Sequence, residues 1–211
     1  MQTADFRLYL VTDRYQTCGR RLEEVIRQAL DGGVRALQLR EKDLPSVELY
    51  RLAVEMRRLT AEYSARLIIN DRIDIAQAVG ADGVQIGVNS LPVAEVRRIL
   101  GQGNVIIYSA HSIEDAELAR ITGADMVTFG PVYHTPSKAV YGAPCGVRKL
   151  ADAVRALSIP VIALGGIRLE NISEALSSDC RGIAVISAII AAADPRGAAA
   201  SLLKKIRERA S

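Results

Sequence analysis

Residues 8–15, Leu8-Tyr-Leu-Val-Thr-Asp-Arg-Tyr15, pass from four apolar residues straight into a hydroxyl, an acid and a base. The apolar run reads as a buried strand and the polar residues as the turn that leaves it. The turn contains no Gly-x-Gly-x-x-Gly. An open dinucleotide-binding sheet needs those glycines at its first strand–helix turn, so that backbone can approach a pyrophosphate. The opening stretch therefore directs the reading away from an open doubly wound sheet.

Working outward, the first strand is predicted over Arg7–Thr12. Further strands are predicted over Val34–Arg40, Arg66–Asn70, Gly83–Ile86, Val105–Ser109, Met126–Gly130, Val161–Gly165 and Gly182–Ile186. Amphipathic helical patterns fall at Arg20–Asp31, Ser46–Tyr63, Ile73–Val79, Val93–Leu100, Ile113–Ile121, Gly146–Ala156, Asn171–Leu176 and Pro195–Arg209. This is a strand–helix alternation at a nearly even spacing of roughly 25 residues, without the break expected at a topological switch point. Short connections between such units predict parallel strands with right-handed crossovers. The fold expected is a single-domain α/β chain closed into a (β/α)8 TIM barrel.

Three helices end in a small-residue turn before the next strand: Asp31-Gly-Gly33, Gly80-Ala-Asp-Gly83 and Gly123-Ala-Asp125. Glycine there permits the left-handed conformation that stops a helix, so these are folding signals and not chemistry.

Composition agrees. Of 211 residues, 49% are hydrophobic and only 4% aromatic, which suits strands buried on both faces by branched aliphatics. A net charge of +3, with acids and bases interspersed, excludes the concentrated basic face of a nucleic-acid binder. Cys18, Cys145 and Cys180 are odd in number and lack metal-ligand spacing. They read as reduced thiols of a cytoplasmic protein. Met1 to Arg7 is polar and leads directly into the first strand, so no secretory leader is expected, and no apolar run reaches the roughly 18 residues that a membrane span requires.

In a barrel of this class the chemistry sits where strands end and the following loops begin. The second strand ends in Gln38-Leu-Arg40-Glu-Lys42-Asp43, and alternation sends Gln38 and Arg40 into the mouth with Lys42 above them. Two cations suit a diphosphate or carboxylate; an ion-paired rim with Glu41 and Asp43 is the plainer alternative. Asn70-Asp71 ends the third strand, where Asp71 reads as a ligand for a hard cation such as Mg2+, as a cap for the next helix, or as both. Tyr108-Ser-Ala-His-Ser112 offers Ser109 to a substrate, Ser112 as a helix cap, and His111 as a structural histidine or a proton carrier. After the sixth strand come Tyr133-His134-Thr135-Pro136-Ser137-Lys138, whose hydroxyls and ammonium resemble a phosphate cradle, and a stretch through Tyr141 to Gly146 that reads as a lid. Gly165-Gly166 and Ile186-Ser187 follow the seventh and eighth strands, the ordinal positions at which barrels hold phosphate on backbone N–H groups.

These residues, in this order, resemble the thiamine-phosphate synthase and TenI family, and the resemblance covers essentially the whole chain. It runs through Tyr9-Leu-Val-Thr-Asp13, Gln38-Leu-Arg-Glu-Lys42, Ile69-Asn-Asp-Arg72, Ser109-Ala-His111, Gly130-Pro-Val132, Thr135-Pro-Ser-Lys138, Gly165-Gly-Ile167 and Ile186-Ser-Ala188. It implies a Mg2+-dependent transferase that joins hydroxymethylpyrimidine diphosphate to thiazole phosphate, releasing diphosphate. The resemblance implies that Gln38, Arg40, Lys42, Asn70, Ser109 and Lys138 hold the pyrimidine diphosphate. Among them Arg40, Lys42, Ser109 and Lys138 would be catalytic, and Asp71 the metal ligand. Thr135, Pro136, Ser137, Gly166, Ile186 and Ser187 would hold the thiazole phosphate. Its partners would be small molecules, with no nucleic acid or membrane, and a homo-oligomer stays open.

One stretch departs. The family's fourth strand leads into a pattern like His-x-Gly-Gln-Glu-Asp, whose last residue is a second Mg2+ ligand; here it reads Gln85-Ile-Gly-Val-Asn-Ser90. Ser90 thus stands where the carboxylate belongs, and replacements at this position are common in the TenI branch of thiazole tautomerases. The catalytic histidine of that branch aligns with Pro131, and His134 lies three residues further on. A tautomerase and a non-catalytic phospholigand binder are therefore the alternative readings.

Overall fold

The computed structural model describes residues 7–135 and 143–210. Eight parallel strands form a closed barrel in sequence order: β1 (Leu8–Val11), β2 (Ala36–Leu39), β3 (Arg66–Asn70), β4 (Gly83–Ile86), β5 (Val105–Ala110), β6 (Met126–Phe129), β7 (Val161–Leu164) and β8 (Gly182–Val185). The ring shuts where β8 pairs with β1, with Leu8 beside Ile183, Tyr9 beside Ala184 and Leu10 beside Val185. This is the (β/α)8 barrel that the spacing predicts.

The helices are α1 (Leu22–Asp31), α2 (Ser46–Glu62), α3 (Ile73–Ala78), α4 (Val93–Leu100), α5 (Ile113–Ile121), α6 (Gly146–Ala156), α7 (Ile172–Leu176), α8 (Ser187–Ile190) and α9 (Pro195–Ala210). Two short elements are not visible in the periodicity: a single 3-10 turn at Arg14–Gln16 and the one-turn α8. Both sit in the mouth, where local hydrogen bonds outweigh any apolar pattern. The first helix starts two residues later than its pattern, because Arg20 turns back to donate from Nε to the Thr17 carbonyl at 2.9 Å. Several strands also stop a residue or two short. Thr12, Arg40, Gly130, Gly165 and Ile186 leave the ladder and become mouth residues.

Alternation divides the apolar residues between two cores. Tyr9, Ala36, Ile68, Ile107, Met126, Ile162 and Ala184 fill the barrel interior. Their neighbours, such as Leu10, Leu37, Leu67, Ile69, Val84 and Ile106, face outward and pack under the helices. The interior is therefore plugged at mid-height by largely apolar side chains, Tyr9 among them, and the polar side chains gather in the mouth above it.

The glycine–alanine–aspartate turns do more than stop helices. At Gly123 the backbone takes φ of 111°, which a side chain would strain. The aspartates then reach across to the start of a neighbouring strand. Asp82 accepts from the backbone N–H of Leu67 at 2.8 Å and from Arg57 and Arg66 at 2.7 and 2.6 Å. Asp125 does the same with the N–H of Ile106 at 2.7 Å and with Arg97 at 2.5 Å. Burial pushes the Asp82 carboxyl upward, but that N–H and the two guanidinium groups outweigh it, and its pKa ends below the ordinary value. These pins lie at the amino-terminal ends of the strands, opposite the mouth.

Candidate active site

Inward alternation places a polar layer directly above the aliphatic plug. Gln38 on β2 is 1% exposed and donates from Nε2 to Asn70 Oδ1 of β3 at 3.3 Å. Gln85 on β4, in register with Asn70, donates from Nε2 to Thr128 Oγ1 of β6 at 3.1 Å. Ser109 of β5 completes this side; its Cβ lies 3.7 Å from where a side chain at Gly87 would begin. Gln38, Asn70 and Ser109 thus stand where the sequence puts them. Gln85 and Thr128 are additional members of the layer. Their signal was available, because they share strand parity with Gly87 and Gly130 at the mouth.

The rim beside β2 decides between the two readings of its cations. Arg14, just after β1, takes both nearby carboxylates. It bonds Glu41 through Nη1 at 3.0 Å and through its own backbone N–H at 3.2 Å, and it clasps Asp43 with both terminal nitrogens, one of them donating to Oδ1 at 2.7 Å. Tyr15 stacks under the guanidinium at 4.4 Å and donates to Asp43 at 2.7 Å. This side-chain clasp, the hydrogen bond from Arg14 first, holds the Asp43 carboxyl well below the usual carboxylate range. The Glu41 side chain is 2% exposed. The alternative of a rim paired through Glu41 and Asp43 is therefore overturned: those acids belong to Arg14. Among the described residues no carboxylate forms an ion pair with Arg40 or Lys42. Burial, followed by repulsion from Arg40, lowers the Lys42 pKa, and only the charge of Asp71 works against it. Two neighbouring cations without a paired carboxylate leave a locally positive rim.

Lys42, Asn70 and Asp71 line one cavity of about 200 Å3 with Glu41 and Arg72. Asp71 also edges an open groove of about 340 Å3 between α3 and α4, lined by Ile73, Gln77, Leu91 and Ile99. Its backbone is left-handed, with φ of 65°, and its N–H is tied to the Gln85 carbonyl at 2.9 Å. A non-glycine residue held this way costs of order 1 kcal/mol, and such strain collects at functional sites. Asp71 does not cap the next helix. The cap position belongs to Arg72, with no side-chain capping bond; Arg72 instead reaches Asp74 of α3 and the Ser46 hydroxyl of α2. The Asp71 carboxylate is exposed and accepts no hydrogen bond among the described residues. Ser90, at the departure from the family pattern, uses its hydroxyl oxygen locally, accepting from the Gly87 N–H at 2.8 Å.

The opposite arc of the mouth is made of backbone. Gly165 and Gly166 have φ of 105° and 66°, and a Cβ on Gly166 would lie 2.7 Å from the His134 carbonyl oxygen and 2.8 Å from Tyr133 Cβ. The loop after β6 is thus moulded onto them. The N–H groups of Val132 and Tyr133 bond the carbonyls of Leu164 and Gly165 at 2.9 and 3.0 Å. Tyr133 extends across to Glu174 of α7 at 2.9 Å. Ile186 turns the chain from β8 into α8, and Ser187, the first residue of α8, is exposed. Thr135 is half-buried at the end of this loop. Pro136, Ser137, Lys138 and most of the lid-like stretch lie outside the described residues.

His111 is tied to the end of β6. Its Nδ1 meets the Gly130 carbonyl at 2.7 Å; a carbonyl can only accept, so Nδ1 carries the proton. The same loop is braced by Asp115, which accepts from the Tyr108 hydroxyl at 2.8 Å and from the His111 N–H at 3.4 Å. Burial, then the bond to Asp115, pushes the Tyr108 hydroxyl up to about 12. Ser112 caps α5 as its position predicts, accepting from the Asp115 N–H at 3.1 Å. His134 is exposed on the loop after β6, and Pro131 is buried where the tautomerase histidine would align.

The family model of thiamine monophosphate synthase matches residues 8–189. A protein of Geobacter sulfurreducens, provisionally named a thiamine-phosphate synthase, is 54% identical over 209 residues, covering 99% of this chain and 98% of its own length. The thiamine-phosphate synthase of Ruminiclostridium cellulolyticum is 44% identical over 200 residues, 95% of each chain. Among solved structures, thiamine phosphate pyrophosphorylase from Pyrococcus furiosus superposes with a TM-score of 0.91 at 37% identity, covering 99% of this chain and 98% of that one. With a family match over most of its length and relatives of this identity and coverage, the chain belongs to the thiamine monophosphate synthase family.

Proposed function

We propose that the chain is a thiamine-phosphate synthase, coupling hydroxymethylpyrimidine diphosphate with thiazole phosphate to give thiamine phosphate and diphosphate. The observation that carries this reading is the cation pair Arg40 and Lys42, of which Lys42 shares a cavity with Asn70 and Asp71, while Arg14 occupies the neighbouring acids. Such a pair is suited to a diphosphate leaving group. In the reaction the bond from the pyrimidine methylene carbon to the diphosphate oxygen breaks, its electron pair leaving with the diphosphate. The thiazole nitrogen then closes on the methylene cation. Arg40 and Lys42 neutralise the departing oxygens, with Ser109 and Lys138 as further donors, while Gln38 and Asn70 orient the ring. No protein nucleophile is required. The work is charge neutralisation and alignment of the two fragments.

Mg2+ accepts one or two carboxylates and completes its shell with water and substrate phosphate. Among the described residues no cluster of three or more metal-ligating side chains occurs. The exposed Asp71 carboxylate nevertheless fits a one-carboxylate site closed by the substrate. When bound there, the ion would offset the negative charge of the leaving diphosphate. Thr135, Pro136, Ser137, Gly166, Ile186 and Ser187 hold the thiazole phosphate in this reading, supported by the bare backbone at Gly165-Gly166. The three free thiols support a reducing compartment, the cytoplasm. No helix among the described residues is long and apolar enough to cross a membrane.

The tautomerase reading lacks its aligned histidine, since position 131 is a buried proline and His134 is exposed on the loop after β6. Incubation with both phosphorylated substrates and Mg2+ is expected to yield thiamine phosphate, and chelation of the metal to stop it. Absence of product at high protein concentration, beside an active reference synthase, overturns the assignment. Tight thiazole phosphate binding under those conditions would then identify a binder.

A further inference from the structure

The polar layer holds one loose end. Gln85 is 7% exposed, and one end of its amide is tied to Thr128 at 3.1 Å. The other end, Oε1, is fully buried and has no hydrogen-bond partner. Buried side-chain oxygens are rarely left so, because removal from water without a replacement partner is unfavourable. A second, independent feature lies directly above it. The next residue of the same parity, one past the end of β4, is Gly87, whose missing side chain would make only an ordinary contact, 3.7 Å from Ser109 Cβ. Sterics do not demand a glycine there. Its effect is that no side chain rises above Gln85 at this position, between Asn70 on β3 and Ser109 on β5.

We propose that Gln85 is a specificity-determining residue. In this reading a flat amino-substituted heterocycle descends through the gap at Gly87 and donates an N–H to the unpartnered end of the Gln85 amide. The inference rests on the synthase reading, in which the diphosphate substrate carries a 4-aminopyrimidine. The geometry matches that substrate: the ring sits on the polar layer, and the diphosphate extends outward to Arg40 and Lys42 at the rim. A buried acceptor that stays unpaired until the substrate arrives discriminates strongly, because an analogue lacking the donor leaves it unpaired.

The test uses steady-state kinetics of the full chain with the pyrimidine diphosphate and its analogue lacking the amino group. Turnover by the unmodified protein is established first, so failure of the synthase reading shows at that stage. Gln85→Met keeps the length of the side chain and removes the acceptor. The expected result is a KM for the pyrimidine diphosphate raised about tenfold or more, with the KM for thiazole phosphate unchanged. The unmodified protein should discriminate against the analogue by a similar factor, and Gln85→Met should not. Gly87→Ala, which retains Gln85 and needs only the space observed, should raise the same KM selectively. An unchanged KM in both variants overturns the proposal, as does an equal penalty on both substrates. Discrimination against the analogue that survives Gln85→Met also overturns it.

Discussion

Around the ends of β2 and β3 the mouth works through side chains: two cations held near each other, an amide pair, and a carboxylate on strained backbone. Around the ends of β7 and β8 it works through main chain, with two glycines pressed under the loop after β6 and a single turn of helix. The first arc is tunable, because its strength depends on which charges neighbouring loops remove. The second is a casting whose shape depends on the absence of atoms. Substitutions should therefore act differently: at the backbone arc they damage fold and binding together, and at the side-chain arc they move one substrate's affinity with the fold intact.

The largest effect is expected at Gly166. Gly166→Ala forces a side chain into a left-handed backbone and to within 2.7 Å of the His134 carbonyl oxygen. Strain and overlap together should cost about 2–4 kcal/mol of stability. Thermal unfolding should show the loss, and calorimetry should show weakened thiazole phosphate binding in the protein that remains folded. A destabilised variant that still binds thiazole phosphate at full strength would separate the casting from the ligand and break the comparison.

How much of this contrast the sequence discloses follows from the range of the interactions. The barrel is legible because its signals are local: β-branched runs, helix-stopping glycines, and an even spacing. Gln38, Asn70 and Ser109 are legible because parity along a strand fixes which face a residue takes. The ownership of Glu41 and Asp43 is not. Arg14 lies 27 and 29 residues away from them, and only closure of β1 onto β2 brings it there. In the sequence the acids sit beside Arg40 and Lys42, so adjacency suggests the wrong partner. The open end of the Gln85 amide is equally invisible, since it depends on Thr128, 43 residues away, occupying only one side.

The long-range clasp yields the next prediction. Arg14→Ala releases Glu41 and Asp43 next to Arg40 and Lys42, where they compete with an anionic substrate. Loss of an interaction of this partly exposed kind corresponds to about a fivefold rise in KM for the pyrimidine diphosphate. The KM for thiazole phosphate should not move. Equal changes in both would mean that the clasp merely holds the loops, and the side-chain arc would lose its claim to being tunable.

The smallest change is expected from Ser90→Asp, and it sharpens the comparison most. The serine oxygen already accepts from the Gly87 N–H at 2.8 Å, and an aspartate can keep that bond with one oxygen while offering the other. The turn should therefore survive, and the added charge should strengthen the metal site proposed at Asp71. Charge count is one of the quantities that sets hard-cation affinity, so half-saturation by Mg2+ should fall about threefold in a metal titration of activity. Thiazole phosphate binding, measured without metal, serves as the internal reference and should stay constant. A half-saturation that does not move would show that this chain draws its metal shell from Asp71 and substrate oxygens alone. The side-chain arc would then be complete as it stands, with Ser90 serving the turn.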